Sequence, residues 1–204
     1  MRDFCQPIIE DKIRKFNYGH AFTAADFLDF ASVDAANKAL SRLNELGTIR
    51  RIIKGVYEKA DPYVDIDDIA PPDPVEVAKA LARKFSWRIG LSESKAAKHV
   101  GVGVKYTNHW TFISDGPNRK YEVAHYVLQF KHRSNKVFEG KSFETISLYE
   151  ALKFIGEDNI DKKVQYRISN TFDFKKSDVI KWQILKEVDN LDDWVSMKIK
   201  EILI

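Results

Sequence analysis

Apolar residues recur at helical spacing in three blocks near the start of the chain. In Gln6–Asn17, Ile9, Ile13 and Phe16 fall on one face. Thr23–Phe30 carries Phe27, Leu28 and Phe30; Thr23 is placed to cap it, and Asp26 sits where a capping box is closed. Asp34–Leu46 aligns Ala36, Ala39, Leu40, Leu43 and Leu46 in one stripe, with Ser32 as its cap. Gly47 follows where a helix end takes a left-handed residue. The period then shortens. Thr48–Ile53 is rich in β-branched residues, Lys54-Gly55 supplies a turn, and Val56-Tyr57 begins a return strand.

This order, three helices and then a hairpin, is that of a winged helix-turn-helix, and the connection at Ala31–Val33 is short enough for the motif. The pattern breaks in Ala60–Pro74, ADPYVDIDDIAPPDP, where Pro62, Pro71, Pro72 and Pro74 each remove an amide donor and disfavour helix. The break predicts a first domain over residues 1–60, a linker over 61–73 and a second domain over 74–204. In the latter, Pro74–Phe85 reads as a helix with Val77, Ala78, Leu81 and Phe85 inward, and Ser92–His99 as a shorter one capped by Ser92. Trp110–Ser114 and Tyr121–Phe130 read as strands around the turn Asp115-Gly116-Pro117-Asn118. From Ile146 the period is helical again, through Tyr149, Leu152 and Ile155, and Asp178–Ile204 predicts one or two further helices. The fold class is therefore α+β: an N-terminal winged helix-turn-helix, then a mixed α/β domain with a helical C-terminal tail.

Composition adds little until charge is placed on these elements. Over 204 residues, 44% hydrophobic and 31% charged is globular composition, and a formal charge of +3 does not by itself indicate a nucleic-acid binder. A single cysteine, Cys5, excludes an internal disulfide and a cysteine zinc cluster. The start, MRDFCQPIIEDKIRKF, lacks the apolar core of a signal peptide, and no apolar run approaches the ~20 residues of a membrane span. A soluble cytoplasmic protein without a membrane partner is expected.

The charge is unevenly spread. Lys38–Lys59 holds six Lys or Arg against two Glu, whereas residues 1–70 as a whole hold ten bases against twelve acids. With the leucine stripe inward, the third helix presents Asn37, Lys38, Ser41, Arg42 and Glu45. Lys, Ser and Arg suit phosphates, and Asn37 and Arg42 suit bidentate bonds to adenine or guanine edges. The hairpin adds Arg50, Arg51 and Lys54. Strand alternation sends Arg50 and Lys54 outward and turns Arg51 toward the core, unless a bulge redirects it. Such an asymmetry serves backbone neutralisation with counterion release. A merely solvated basic surface, or a winged helix used for protein docking, fits the same residues. A second cluster, Arg119, Lys120, Lys131 and Arg133 with Lys136 and Lys141 behind, places six bases against two Glu over 119–141 and suits nucleic acid, an acidic partner or plain solvation.

Catalytic signatures are missing from the sequence. The histidines at 20, 99, 109, 125 and 132 form no metal-ligand spacing, Gly101-Val102-Gly103 lacks the third glycine of a dinucleotide loop, and Asp67-Asp68 reads as solvated linker. No enzyme activity, cofactor or metal is expected.

The run Gly47-Thr-Ile-Arg50-Arg-Ile-Ile-Lys54-Gly55-Val-Tyr57, then Pro71-Pro72-Asp73-Pro74, then Asp115-Gly116-Pro117-Asn118-Arg119 resembles bacterial AbiEi-type antitoxins of type IV toxin–antitoxin pairs and their uncharacterised relatives, over about residues 6–155. The resemblance implies a repressor that binds double-stranded operator DNA of its own operon, with Lys38, Arg42, Arg50 and Lys54 as contacts and Arg119, Lys131 and Arg133 as a weaker set. It also implies an antitoxin that opposes a nucleotidyltransferase-like toxin without a stable complex. The alternatives are a protein-interaction module and a stand-alone transcriptional regulator. The oligomeric state is open.

Overall fold

The computed structural model describes residues 5–59, 61, 70–103, 107–174, 178–189 and 193–204, and eight α-helices and seven strands within them form a mixed α+β fold. The chain divides into two compact units, one of Met1–Trp87 with Glu122–Tyr126, the other of Arg88–Tyr121 with Val127–Ile204. Residues 62–69, most of the expected linker including Asp67-Asp68, lie outside the described residues.

In the first unit, α1 (Cys5–Arg14) buries Ile9 and Ile13, and α2 (Val33–Glu45) buries Ala36, Ala39, Leu40 and Leu43. The block expected as a helix over Thr23–Phe30 closes only a 3-10 turn, Ala24–Phe27. Its capping box is intact, with the Thr23 amide donating to Asp26 Oδ2 at 2.8 Å and the Ala25 amide donating to Thr23 Oγ1 at 3.2 Å. Phe22 and Phe27 are fully buried edge-to-face, 5.9 Å between ring centroids, each contributing roughly 1.5–3 kcal/mol by burial. Ser32 caps α2 by accepting from the Ala35 amide at 3.3 Å. Leu46, expected in the inward stripe, is the C-cap and stands 71% exposed, because the chain leaves the helix there and turns through Gly47 at φ +72°.

Three strands form an antiparallel sheet in the order β1-β3-β2: β1 (Ala21–Phe22), β2 (Ile49–Ile53) and β3 (Val56–Lys59). A two-residue β1 carries no readable period, so pattern alone missed it. As the central strand, β3 is covered on both faces, with Val56, Tyr57 and Glu58 all buried. The helix α3 (Pro74–Phe85) belongs to this same unit. Asp73 caps it by accepting from the Val75 and Glu76 amides at 2.7 and 3.1 Å. Arg83 then ties it down, donating to Asp26 Oδ1 at 2.5 Å and to the Ala21 carbonyl at 2.7 Å. The compact units thus part after Trp87, with the prolines and the helix behind them on the N-terminal side.

A second sheet has the order β4-β5-β7-β6: β4 (Ile89–Leu91), β5 (His109–Ser114), β6 (Arg119–Val123) and β7 (Tyr126–His132), and all of it but Glu122–Val123 and Tyr126 belongs to the second unit. β4 runs antiparallel to β5, and β7 returns parallel to β5 with Phe112 opposite Phe130. The one strand expected over Tyr121–Phe130 is two, broken at Ala124, whose φ of +31° no extended strand allows. Helices α4 (Glu93–His99), α5 (Phe143–Ile155), α6 (Lys162–Phe174), α7 (Asp178–Val188) and α8 (Trp194–Leu203) complete it, α5 packing against α4, α7, α8 and β4. Ser142 and Thr145 at the start of α5 are held by Glu187 of α7, which accepts from the Ser142 amide at 2.7 Å, the Ser142 hydroxyl at 2.8 Å and the Thr145 hydroxyl at 2.5 Å. Among the described residues no helix is long and apolar enough to cross a membrane.

Candidate nucleic-acid interface

The outward face of α2 follows from its inward one. With Ala36, Leu40 and Leu43 buried, Asn37, Lys38, Ser41, Arg42 and Glu45 are all exposed. The Ser41 hydroxyl donates to Glu45 Oε1 at 3.4 Å, one turn on. Past Gly47 the hairpin starts with Ile49, only 2% exposed, which anchors β2 under α2. At the hairpin tip Lys54 is exposed and Gly55 adopts φ +77°, a left-handed conformation that glycine takes without strain.

Between anchor and tip, the two arginines exchange the roles that alternation predicts. A turn at Lys54-Gly55 with unbroken pairing would set Arg51 opposite Glu58. Instead the register shifts between Arg51 and Ile53, and Arg50 faces Glu58 while Arg51 faces Tyr57. The shift lies beyond Arg51, so the two arginines keep the alternate faces set from Ile49, and the extra residue decides only which of them stands opposite Glu58. Arg51 is exposed and makes no ion pair among the described residues. Arg50 is half-buried: its Nε donates to Glu58 Oε1 at 2.5 Å, a second guanidinium nitrogen pairs with the same oxygen, and that nitrogen also donates to the Ala70 carbonyl at 3.1 Å. The expectation of Arg50 as an outward contact does not fit this placement. It fails because alternation assumes a sheet covered on one face only, whereas β3 is covered on both.

The surroundings of Glu58 explain the pair. Burial pushes its carboxyl above the ordinary carboxylate value, and Arg50 pulls it part of the way back by hydrogen bond and charge. The Tyr126 hydroxyl in the same unit is buried without a hydrogen-bond partner among the described residues. Its phenol is pushed up by burial first, with Asp73 and Glu58 adding to the effect and Arg50 opposing it. A lone carboxylate at this buried position would be costly.

Lys59 is also used internally, donating to the Arg14 and Phe16 carbonyls at 2.8 and 3.0 Å. Of the six bases and two acids over 38–59, the solvent-facing set is therefore Lys38, Arg42, Arg51 and Lys54 against Glu45. The surplus survives with different members.

The basic residues of the second unit are brought together only in part. The His132 amide donates to Asn118 Oδ1 at 2.7 Å, so the start of β6, with exposed Arg119 and Lys120, lies at the end of β7. Lys131 is committed to Glu93, 2.6 Å away. Arg133 is exposed and lines a separate cavity with Lys136, Lys141 and Lys153, the last of which the sequence reading did not include. Residue 153 lies three turns into a helix and comes near residue 133 only through tertiary packing. Among the described residues, no group of three or more His, Cys, Asp or Glu side chains could hold a metal ion.

A family model described as a family of unknown function, DUF6088, matches residues 8–181, spanning both units. No curated protein matches the chain.

Proposed function

We propose that this chain, which belongs to the DUF6088 family of unknown function, is a non-enzymatic DNA-binding regulator. Its first unit acts as a winged helix-turn-helix in which the 3-10 turn stands for the shortened first helix of the motif. In this reading α2 enters the major groove with Asn37, Lys38, Ser41 and Arg42, and the β2–β3 tip lays Arg51 and Lys54 on the phosphate backbone. The observation that carries the reading is the solvent-facing excess on α2 and its hairpin, Lys38, Arg42, Arg51 and Lys54 against Asp34 and Glu45, while Arg50 and Glu58 neutralise each other inside.

If all four cations neutralise phosphates, the log–log salt slope is about −3.6, some 0.9 for each phosphate, and a cation spent on a base edge flattens it by that amount. The test is to titrate duplex DNA from upstream of the gene at several salt concentrations. Arg51→Ala and Lys54→Ala should each flatten the slope by about 0.9, evenly across sequences. Unchanged affinity and slope in the Arg51→Ala/Lys54→Ala double variant would refute the interface. The resemblance to AbiEi-type antitoxins extends the proposal to autoregulation and to opposition of a nucleotidyltransferase-like toxin. That extension rests on the order of the three sequence motifs, and rescue of growth on co-expression with the product of the adjacent reading frame tests it.

A further inference from the structure

The second unit contains a cavity of about 290 Å³ that the DNA reading leaves unused. β7 ends at His132, and the Arg133 amide donates to the Ser114 carbonyl at 2.8 Å, which fixes the backbone where the Arg133 side chain departs. A 3-10 turn, Asn135–Val137, then presents Lys136 to solvent while Phe138 behind it is fully buried. Lys141 comes from the segment that enters α5. The opposite wall is one face of α5: Ile146, Tyr149, Glu150 and Lys153, at the three- and four-residue spacing that stacks side chains on a helix.

The four cations around this cavity form no ion pair among the described residues. Lys141 reaches only the Glu139 carbonyl at 3.3 Å, and Lys153 lies 4.6 Å from the centroid of the Tyr149 ring. The one acid in the lining, Glu150, accepts from the Ser92 hydroxyl at 3.2 Å. The cavity thus gathers four cations against Glu150 in its lining and Asp193, whose charge acts on Lys153, and its net charge stays positive. A third feature separates it from a flat basic surface. Val137, the buried Ile146 and the Tyr149 ring give it an apolar side, and the ring is fixed because its hydroxyl donates to Asp193.

We propose that this cavity binds a small phosphomonoester, its dianion held by Arg133, Lys136, Lys141 and Lys153 and its organic part against Val137, Ile146 and Tyr149. The volume falls at the small end of ligand pockets, roughly 300 Å³, which suits a sugar phosphate or a mononucleotide and leaves no room for a larger cofactor. A dianion gains charge-assisted hydrogen bonds from donors already gathered, and its arrival relieves their mutual repulsion.

Isothermal titration of the full chain at fixed ionic strength with AMP, ribose 5-phosphate, inorganic phosphate and adenosine tests this. AMP or ribose 5-phosphate should bind, inorganic phosphate and adenosine should bind at least about tenfold more weakly, and the tighter ester tells a nucleotide from a sugar phosphate. Lys136→Ala/Lys153→Ala should weaken the ester at least about tenfold. Lys136→Glu repeats the test at an exposed residue with no packing role. Absence of binding by both esters, binding unaffected by either variant, or equal binding of bare phosphate or of adenosine would each overturn the proposal.

Discussion

Removing the Arg50 guanidinium should damage the fold of the first unit far more than its binding to DNA. Arg50→Ala deletes the hydrogen bond and the ion pair to Glu58 and the hydrogen bond to the Ala70 carbonyl, leaving a carboxylate that is only 4% exposed. Breaking one side of a buried pair costs about 3–5 kcal/mol, and the 30% exposure of the Arg50 side chain places this case at the lower end, about 3. Protonation sets an independent ceiling. A carboxyl that cannot stay charged takes up a proton, which at pH 7 costs at most about 3.4 kcal/mol for a group whose ordinary value is 4.5. The folded Glu58 carboxyl already lies above that value, so the folded chain binds more protons than the unfolded one in the window above 4.5, and this contribution to stability falls as pH rises through it. The variant loses the arginine's opposing pull and widens the window. Urea unfolding should therefore show a deficit of about 3 kcal/mol at pH 7 that shrinks near pH 4, and adding Glu58→Gln should recover much of it. The DNA salt slope of the variant, measured below its unfolding midpoint, should match the parent. Parent-like stability at pH 7, or a slope flattened by about 0.9, would show that Arg50 faces the duplex instead.

Two further outcomes follow from the second unit, beside the salt-slope and phosphomonoester titrations described above. Gly90→Ala should destabilise by about 3 kcal/mol or more, read as a fall in urea midpoint, because its new Cβ would collide with Ile146 Cγ2 and lie 2.8 Å from Ile146 Cβ on α5. Glu187→Ala should cost about 1.5–3 kcal/mol at neutral pH by freeing the Ser142 and Thr145 donors. Burial alone would raise the Glu187 carboxyl, but those hydrogen bonds outweigh it and hold the group below its ordinary value, so the stabilisation it gives is present above that value and lost as pH falls through the folded one. Parent and variant curves should accordingly converge in acid.

What the sequence determined by itself was everything that depends on neighbours along the chain. The Ser32 cap, the Thr23–Asp26 capping box, the apolar stripe of α2 up to Leu43, the Lys54-Gly55 turn and the start of α3 behind Asp73-Pro74 all arise from interactions spanning three or four residues, and all occur where the pattern places them. The mixed α+β class was legible for the same reason. Tertiary structure decided which face of each element meets something else. A single bulged residue in β2 set Arg50 opposite Glu58, and the double covering of β3 made that an internal pair. The two-residue β1, the break at Ala124 and the meeting of Lys153 with Arg133 likewise depend on residues distant in sequence. Periodicity reports that a residue lies on a face. It carries no information on whether that face meets water, an acid or another strand, because those partners lie tens of residues away and only packing brings them near.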